Sequence, residues 1–242
     1  ISGTPFVQID KGRKEKRALT SLKNKDFKPL KSTLERYCAV FEKLGFPLDL
    51  STVKPLPKKD LSEKTLALIG QDNLKWVGIA PFAAYPGKIY PYPLMEEVIQ
   101  KLDHTQTYKI FLFGGGGKEA KILQETASNC KNVVNMAGVT DLLQELELIS
   151  HLDLMVSMDS ANAHLAAMYG IPTITLWGVT HPYAGFYPFG QDPEHALLAD
   201  RTQYPLIPTS IYGNKIPQGY EHAMETISPE AVLEKIQKLL GV

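Results

Sequence analysis

The sequence predicts an α/β protein: a Rossmann-like parallel sheet with helices on both faces. Three observations predict it. From residue 60 onward, short apolar runs alternate with helical segments of about 10–12 residues, the rhythm of βαβ units. The runs are almost continuously apolar, as strands covered on both faces must be. Polar or glycine-rich loops follow several of them, and ligands bind such sheets at the carboxyl ends of the strands.

The first fifty residues differ from the rest. Residues 6–10 (Phe-Val-Gln-Ile-Asp) read as a short strand. The stretch 11–31 is basic and shows no apolar period. Residues 33–44 read as a helix with Thr33 as its cap, Leu34, Tyr37, Cys38 and Phe41 on one face, and Gly45 as its stop. Pro47, Pro55 and Pro57 mark an extended linker. The expected organisation is a tail of a preceding domain over 1–50, a linker over 51–60, and a Rossmann-like domain over 61–242.

In that last part, helices are expected over 61–68, 94–102, 118–127, 140–151 and 160–169. Strands are expected over 76–80, 108–113, 133–134, 154–157, 173–177 and 196–199. Ser228-Pro229-Glu230 opens a final helix with a capping serine, a proline suited to the first turn and an acid near the helix N-terminus; Gly241 closes it.

Composition narrows the function classes. Of 242 residues 44% are hydrophobic and 21% charged, which excludes a disordered chain. No run approaches the roughly 18 apolar residues of a membrane span. The 26 basic and 26 acidic residues balance, which argues against a nucleic-acid partner. The balance conceals a basic head, with Lys11, Arg13, Lys14, Lys16, Arg17, Lys23, Lys25, Lys28 and Lys31 against only Asp10, Glu15 and Asp26 up to residue 31. Cys38 and Cys130 have neither metal-ligand nor redox-motif spacing and fit a reducing compartment. The chain begins at Ile1 without an apolar leader, and a segment upstream of it is expected.

Four strand ends carry candidate chemistry. Asp159-Ser160-Ala161-Asn162-Ala163-His164 leaves one strand and opens a helix whose free N–H groups form an anion site. Asp159 beside it suits hydroxyl groups better than phosphate, and His164 lies one turn inside. The bland reading is a capped helix with a packed histidine. Lys88 follows the Pro86-Gly87 turn, placed either to reach a diphosphate as a point charge or simply to lie in solvent. Gly114-Gly115-Gly116-Gly117-Lys118-Glu119 lacks the spacing of a phosphate loop and of a dinucleotide fingerprint, which disfavours a nicotinamide dehydrogenase. Glu119 could accept hydrogen bonds from ribose hydroxyls or merely favour the start of its helix. The loop from Gly178-Val179-Thr180-His181-Pro182 to Gly190 is rich in glycine and aromatic residues, as functional loops of this length often are.

Together these segments resemble glycosyltransferase family 9, the family of ADP-heptose:lipopolysaccharide heptosyltransferases. The resemblance rests on Ala137-Gly138-Val139-Thr140-Asp141-Leu142, Asp159-Ser160-Ala161-Asn162-Ala163-His164, Gly170-Ile171-Pro172 and Gly178-Val179-Thr180-His181-Pro182, in that order and spacing. It is good over residues 76–190 and weaker over Asp10-Lys11-Gly12-Arg13 and Glu35-Arg36-Tyr37. It implies the C-terminal half of a GT-B glycosyltransferase, an enzyme moving a sugar from a nucleotide-sugar to a lipopolysaccharide-type acceptor with inversion. No cofactor or metal is implied beyond the donor itself, possible donors including an ADP-heptose-like molecule.

By motif match, Lys88 would hold the diphosphate and Glu119 the ribose. Asp159 and His164 would face sugar and phosphates, the backbone of Ser160 and Ala161 would cradle phosphate, and Gly138, Val139 and Thr140 would border the base. The general base would lie in the preceding domain, so the chain is expected to bind donor without transferring sugar. The expected setting is cytoplasmic, the basic head attracting a phosphate-bearing lipid-linked glycan or the anionic inner membrane surface. Three departures favour a rival reading, a non-catalytic nucleotide-binding module: Ala161 replaces a glycine, and Ala83 and Ala84 stand where hydroxyl residues are common in the family.

Overall fold

The computed structural model describes residues 3–4, 6–70 and 72–241. Six strands form one parallel sheet: β1 (Lys75–Ala80), β2 (Tyr108–Leu112), β3 (Val133–Asn135), β4 (Leu154–Met158), β5 (Thr173–Trp177) and β6 (Ala196–Leu198). Their spatial order is β3-β2-β1-β4-β5-β6, the doubly wound order. β1 pairs with both β2 and β4, for example Val77 with Ile110 and with Leu154. The chain winds outward on one side of β1 and then returns to wind outward on the other. The β1/β4 boundary is therefore the switch point, where the loops part and leave a crevice.

Side-chain alternation along the strands builds two cores. Val77, Ile79, Ile110, Leu112, Leu154 and Val156 face one layer. It is made by α4 (Tyr92–His104), α5 (Lys118–Ser128) and α8 (Pro229–Leu240), through residues such as Ile99, Leu123 and Ile236. Ala80, Phe111 and Met155 face the opposite layer. There α3 (Glu63–Ile69), α6 (Leu142–Ile149) and α7 (Ala161–Met168) contribute Ile69, Leu148, Ile149 and Ala166. Each face of a strand thus receives every second residue. All five residues of β4 and of β5 are buried, which explains why their sequences carry no alternation.

The head differs from its expectation in several respects. Residues 6–10 form no strand. The basic stretch contains a helix, α1 (Arg13–Leu19), whose single buried residue is Leu19, too little to leave an apolar period. The next helix, α2 (Thr33–Lys43), is capped by Ser32 in a reciprocal pair with Glu35, not by Thr33. Its buried residue is Arg36, whereas Tyr37 and Phe41 of the expected apolar face are exposed. Arg36 reaches Glu15 Oε2 at 2.7 Å and donates to the backbone oxygens of Asp10 and Lys31. The head then joins the body through backbone bonds from Leu30 N to Tyr183 O and from Thr33 N to Gly185 O. The segment expected as a linker lies along the body, with Leu56 N bonded to Met168 O and Lys59 N to Ser150 Oγ.

Elsewhere the expected elements form, with small shifts at their ends. The helix expected over 140–151 is the shorter α6, because Asp141 and Gln144 make a capping box that sets its start.

Candidate functional site

A cavity of about 520 Å³ opens at the carboxyl edge of the sheet. The ends of β1 and β2 supply Ala80 and Phe113. The loop after β1 contributes Ala83, Tyr85 and Lys88, and the glycine loop after β2 contributes Gly114, Gly115 and Glu119. The turn after β4 contributes Asp159, Ser160, Ala161 and His164. This is the crevice that the strand order creates.

Close backbone packing positions Lys88. Gly87 N donates to Gly213 O, and Gly87 O accepts from Val179 N. A Cβ at Gly87 would stand 2.6 Å from Gly213 O, and one at Gly213, whose φ is +78°, would stand 2.6 Å from Lys88 Cγ. Both positions therefore require glycine if Lys88 is to leave the turn toward the cavity.

Lys88 Nζ lies 2.7 Å from Asp159 Oδ2 and donates to Asp159 O at 3.2 Å. Both side chains are largely buried. Oδ2 is buried with no other polar partner among the described residues, so the Lys88 ammonium is what compensates it. Ser160 occupies the N-cap position of α7 but does not cap it. Its hydroxyl faces Ser157 Oγ at 3.0 Å, leaving the amides of the first turn without a side-chain acceptor. Those amides and the helix dipole favour an anion by about 0.3–1 kcal/mol, and up to about 2 in a partly buried setting. His164 is exposed at the rim. Desolvation of its ring by the surrounding wall lowers its pKa, Asp159 opposing that shift and Lys88 adding to it.

The structure brings Lys88, Glu119, Asp159, Ser160, Ala161 and His164 to one cavity. Glu119 also has a local role, since its Oε2 accepts from Gly115 N at 2.7 Å and holds the glycine loop. Gly138, Val139 and Thr140 stand outside the lining. Gly138 packs toward Ala120, Val139 is exposed, and Thr140 gives its hydroxyl proton to Met136 O at 2.8 Å.

Other lining residues escaped the sequence reading as site residues, among them Glu145, Phe186 and Tyr212. Glu145 resembled any first-turn acid. Phe186 belongs to the aromatic loop, which carried a signal for the segment but not for the residue. Tyr212 lies in irregular chain with no signal at all. Phe186 and Tyr212 also border a second cavity of about 670 Å³, lined by Lys11, Arg13, Lys16, Arg17, Arg36 and Lys215.

This doubly wound sheet order, with a crevice at its switch point, is a Rossmann-like α/β fold and matches the GT-B-like fold of solved glycosyltransferase structures. A family model for glycosyltransferase family 9 (heptosyltransferase) matches residues 8–205, and the chain belongs to that family. It is 31% identical over 228 residues to lipooligosaccharide heptosyltransferase 2 of Haemophilus influenzae, covering 86% of this chain and 62% of that protein. The chain thus spans less than two thirds of that relative's length. Among solved structures, the glycosyltransferase family 9 protein of Veillonella parvula aligns with a TM-score of 0.69 at 18% identity, covering 98% of this chain and 63% of that one. The Escherichia coli heptosyltransferase WaaC with ADP aligns with a TM-score of 0.59 at 20% identity, covering 89% and 60%. Among the described residues, no helix is long and apolar enough to cross a membrane.

Proposed function

We propose that the chain is the donor-binding part of a heptosyltransferase-like enzyme that moves a sugar from a nucleotide-sugar to a lipopolysaccharide-type acceptor with inversion. Residues 61–242 would form the donor domain, 51–60 the linker and 1–50 the tail of the acceptor domain, whose remainder would carry the general base. The observation that carries the reading is the pairing of a largely buried lysine with uncapped helix amides at the switch point.

The leaving group of such a transfer is a nucleoside diphosphate whose charge grows in the transition state. Donors already aimed at that charge lower the barrier without reorganising. Lys88 supplies a point charge and the first turn of α7 supplies N–H groups. Asp159, a charged acceptor beside them, is suited to sugar hydroxyls, and Glu119 retains a second carboxylate oxygen for a ribose. The basic second cavity meets the first at Phe186 and Tyr212 and suits an anionic acceptor glycan or a phosphate-bearing lipid. Attachment to an anionic membrane surface at the cytoplasmic face would use the same charges.

Calorimetric titration of the chain with ADP, UDP and GDP tests this reading. One nucleotide is expected to bind saturably. A charge-assisted hydrogen bond contributes roughly 1.5–3 kcal/mol, so Lys88→Ala should weaken binding about 10- to 100-fold. A change below about threefold would remove Lys88 from the site.

A further inference from the structure

We propose that Glu145 is a specificity-determining residue of this cavity, its carboxylate selecting a donor whose base carries an exocyclic amino group. The inference rests on the donor-site reading above and deepens it.

The cavity is electrically polarised. Lys88 is the one lysine or arginine among its lining residues, and it stands with Asp159 beside the start of α7. Glu119 and Glu145 come from α5 and α6, which follow β2 and β3 on the other side of β1. A diphosphate is drawn to the lysine and repelled by the two glutamates, so the nucleoside half of a ligand turns toward them.

The two glutamates are not equivalent. Glu119 is engaged by the glycine loop. Glu145 takes no hydrogen bond from a backbone N–H among the described residues, and neighbouring Thr140 gives its proton to Met136 O. Burial, then Asp141 nearby, raises the Glu145 pKa, as expected of a carboxyl short of partners, while Thr140 acts weakly in the opposite sense.

Geometry aims Glu145 at the cavity. Leu148 and Ile149, one turn further along α6, pack with Phe111 and Phe113. Residues three and four apart share a helix face, so Glu145 continues that face toward the carboxyl edge, where Phe113 also lines the cavity. Gly138, Val139 and Thr140, at the start of the same segment, stay outside the lining, and Glu145 is the residue that enters it.

The chemistry is selective. An ionised carboxylate only accepts hydrogen bonds. Adenine offers an exocyclic amino donor, whereas uracil presents a carbonyl oxygen that a carboxylate repels.

The test is calorimetric titration of the chain with ADP, UDP, 2′-deoxy-ADP and inorganic pyrophosphate, for the unaltered protein, Glu145→Ala, Glu145→Gln and Lys88→Ala, with thermal melting as a check on folding. The unaltered chain is expected to prefer ADP over UDP by about tenfold or more. Glu145→Ala should bring that ratio within about threefold by weakening ADP, and Glu145→Gln should narrow it by admitting UDP, since an amide can also donate. Pyrophosphate binding should not weaken in either variant, since both remove a repelling charge. A preserved ADP/UDP ratio in Glu145→Ala, with binding still dependent on Lys88, overturns this inference alone. So does a change confined to the ADP/2′-deoxy-ADP ratio. Failure of every nucleotide to bind, or indifference to Lys88→Ala, overturns the donor-site reading and this inference with it.

Discussion

The sheet body and the head are held by different forces. The body closes around two apolar layers in which Ile79, Ile99, Ile110, Phe111, Leu154 and Ile174 are fully buried. The head is fastened by cations and backbone carbonyls. Arg36 ties α1, Asp10 and the Lys31 turn together, and Lys25 Nζ donates to Leu19 O and to Pro208 O across the junction. Phe27 lies against the rings of His181 and Tyr183, with the Arg201 guanidinium 3.5 Å from its centroid. Apolar burial is large per side chain and shared through close packing, so one large-to-small change in the body is felt by the whole of it. Directional polar contacts fail singly and leave unpaired groups behind.

The largest expected effect tests the body. Phe111→Ala removes a fully buried ring and should cost about 3–5 kcal/mol, lowering the melting temperature of the whole molecule. A loss confined to one layer, with the other melting unchanged, would break the picture of one cooperative sheet.

The next effect concerns the junction and acid. His181 is buried with Nδ1 accepting from Tyr183 N at 3.1 Å, and burial first, then Arg201 and Lys25, lowers its pKa to about 4. The unfolded chain takes up this proton near pH 6.5 and the folded one only near pH 4, so stability falls as pH drops between those values. The slope is about 1.4 kcal/mol per unit, or about 2 kcal/mol at pH 5. Faster exchange of the Leu30 and Thr33 amides should report it, and His181→Gln should flatten the dependence. An identical acid slope in that variant would place the sensitive group elsewhere.

The smallest effect is local to the head. Arg36→Ala should cost about 1–2 kcal/mol, because its acidic partners are largely exposed and screened. Proteolysis within residues 10–44 should quicken while the melting of the body holds. Equal loss in both regions would mean that the head is part of the core.

The same contrast decides what the sequence could disclose. The inner strands announced themselves because a doubly covered strand must be apolar, as β4 and β5 are, and Ser228-Pro229 and Gly241 punctuated the last helix as backbone chemistry requires. The head yielded little. A helix that buries Leu19 alone has no period to detect, and the inward residue of the next helix is Arg36, a residue type that apolar periodicity does not register. Within the cavity lining, Lys88, Asp159 and His164 were legible because they lie in the loops and the helix start that follow β1 and β4. Glu145 and Tyr212 were not, since a helix turn and an irregular loop bring them to the cavity through tertiary packing.

The contact between Lys88 and Asp159 has a consequence for which anions the crevice can hold. The lysine is already neutralised by a carboxylate 2.7 Å away. An incoming ion of single charge would only replace one such partner with another and leave Asp159 buried beside it. An ion with two or more charges can draw on Lys88 and on the α7 amides together, and so outcompetes the internal carboxylate. If the crevice holds the donor as proposed, the pair would favour ions of two or more charges over monoanions.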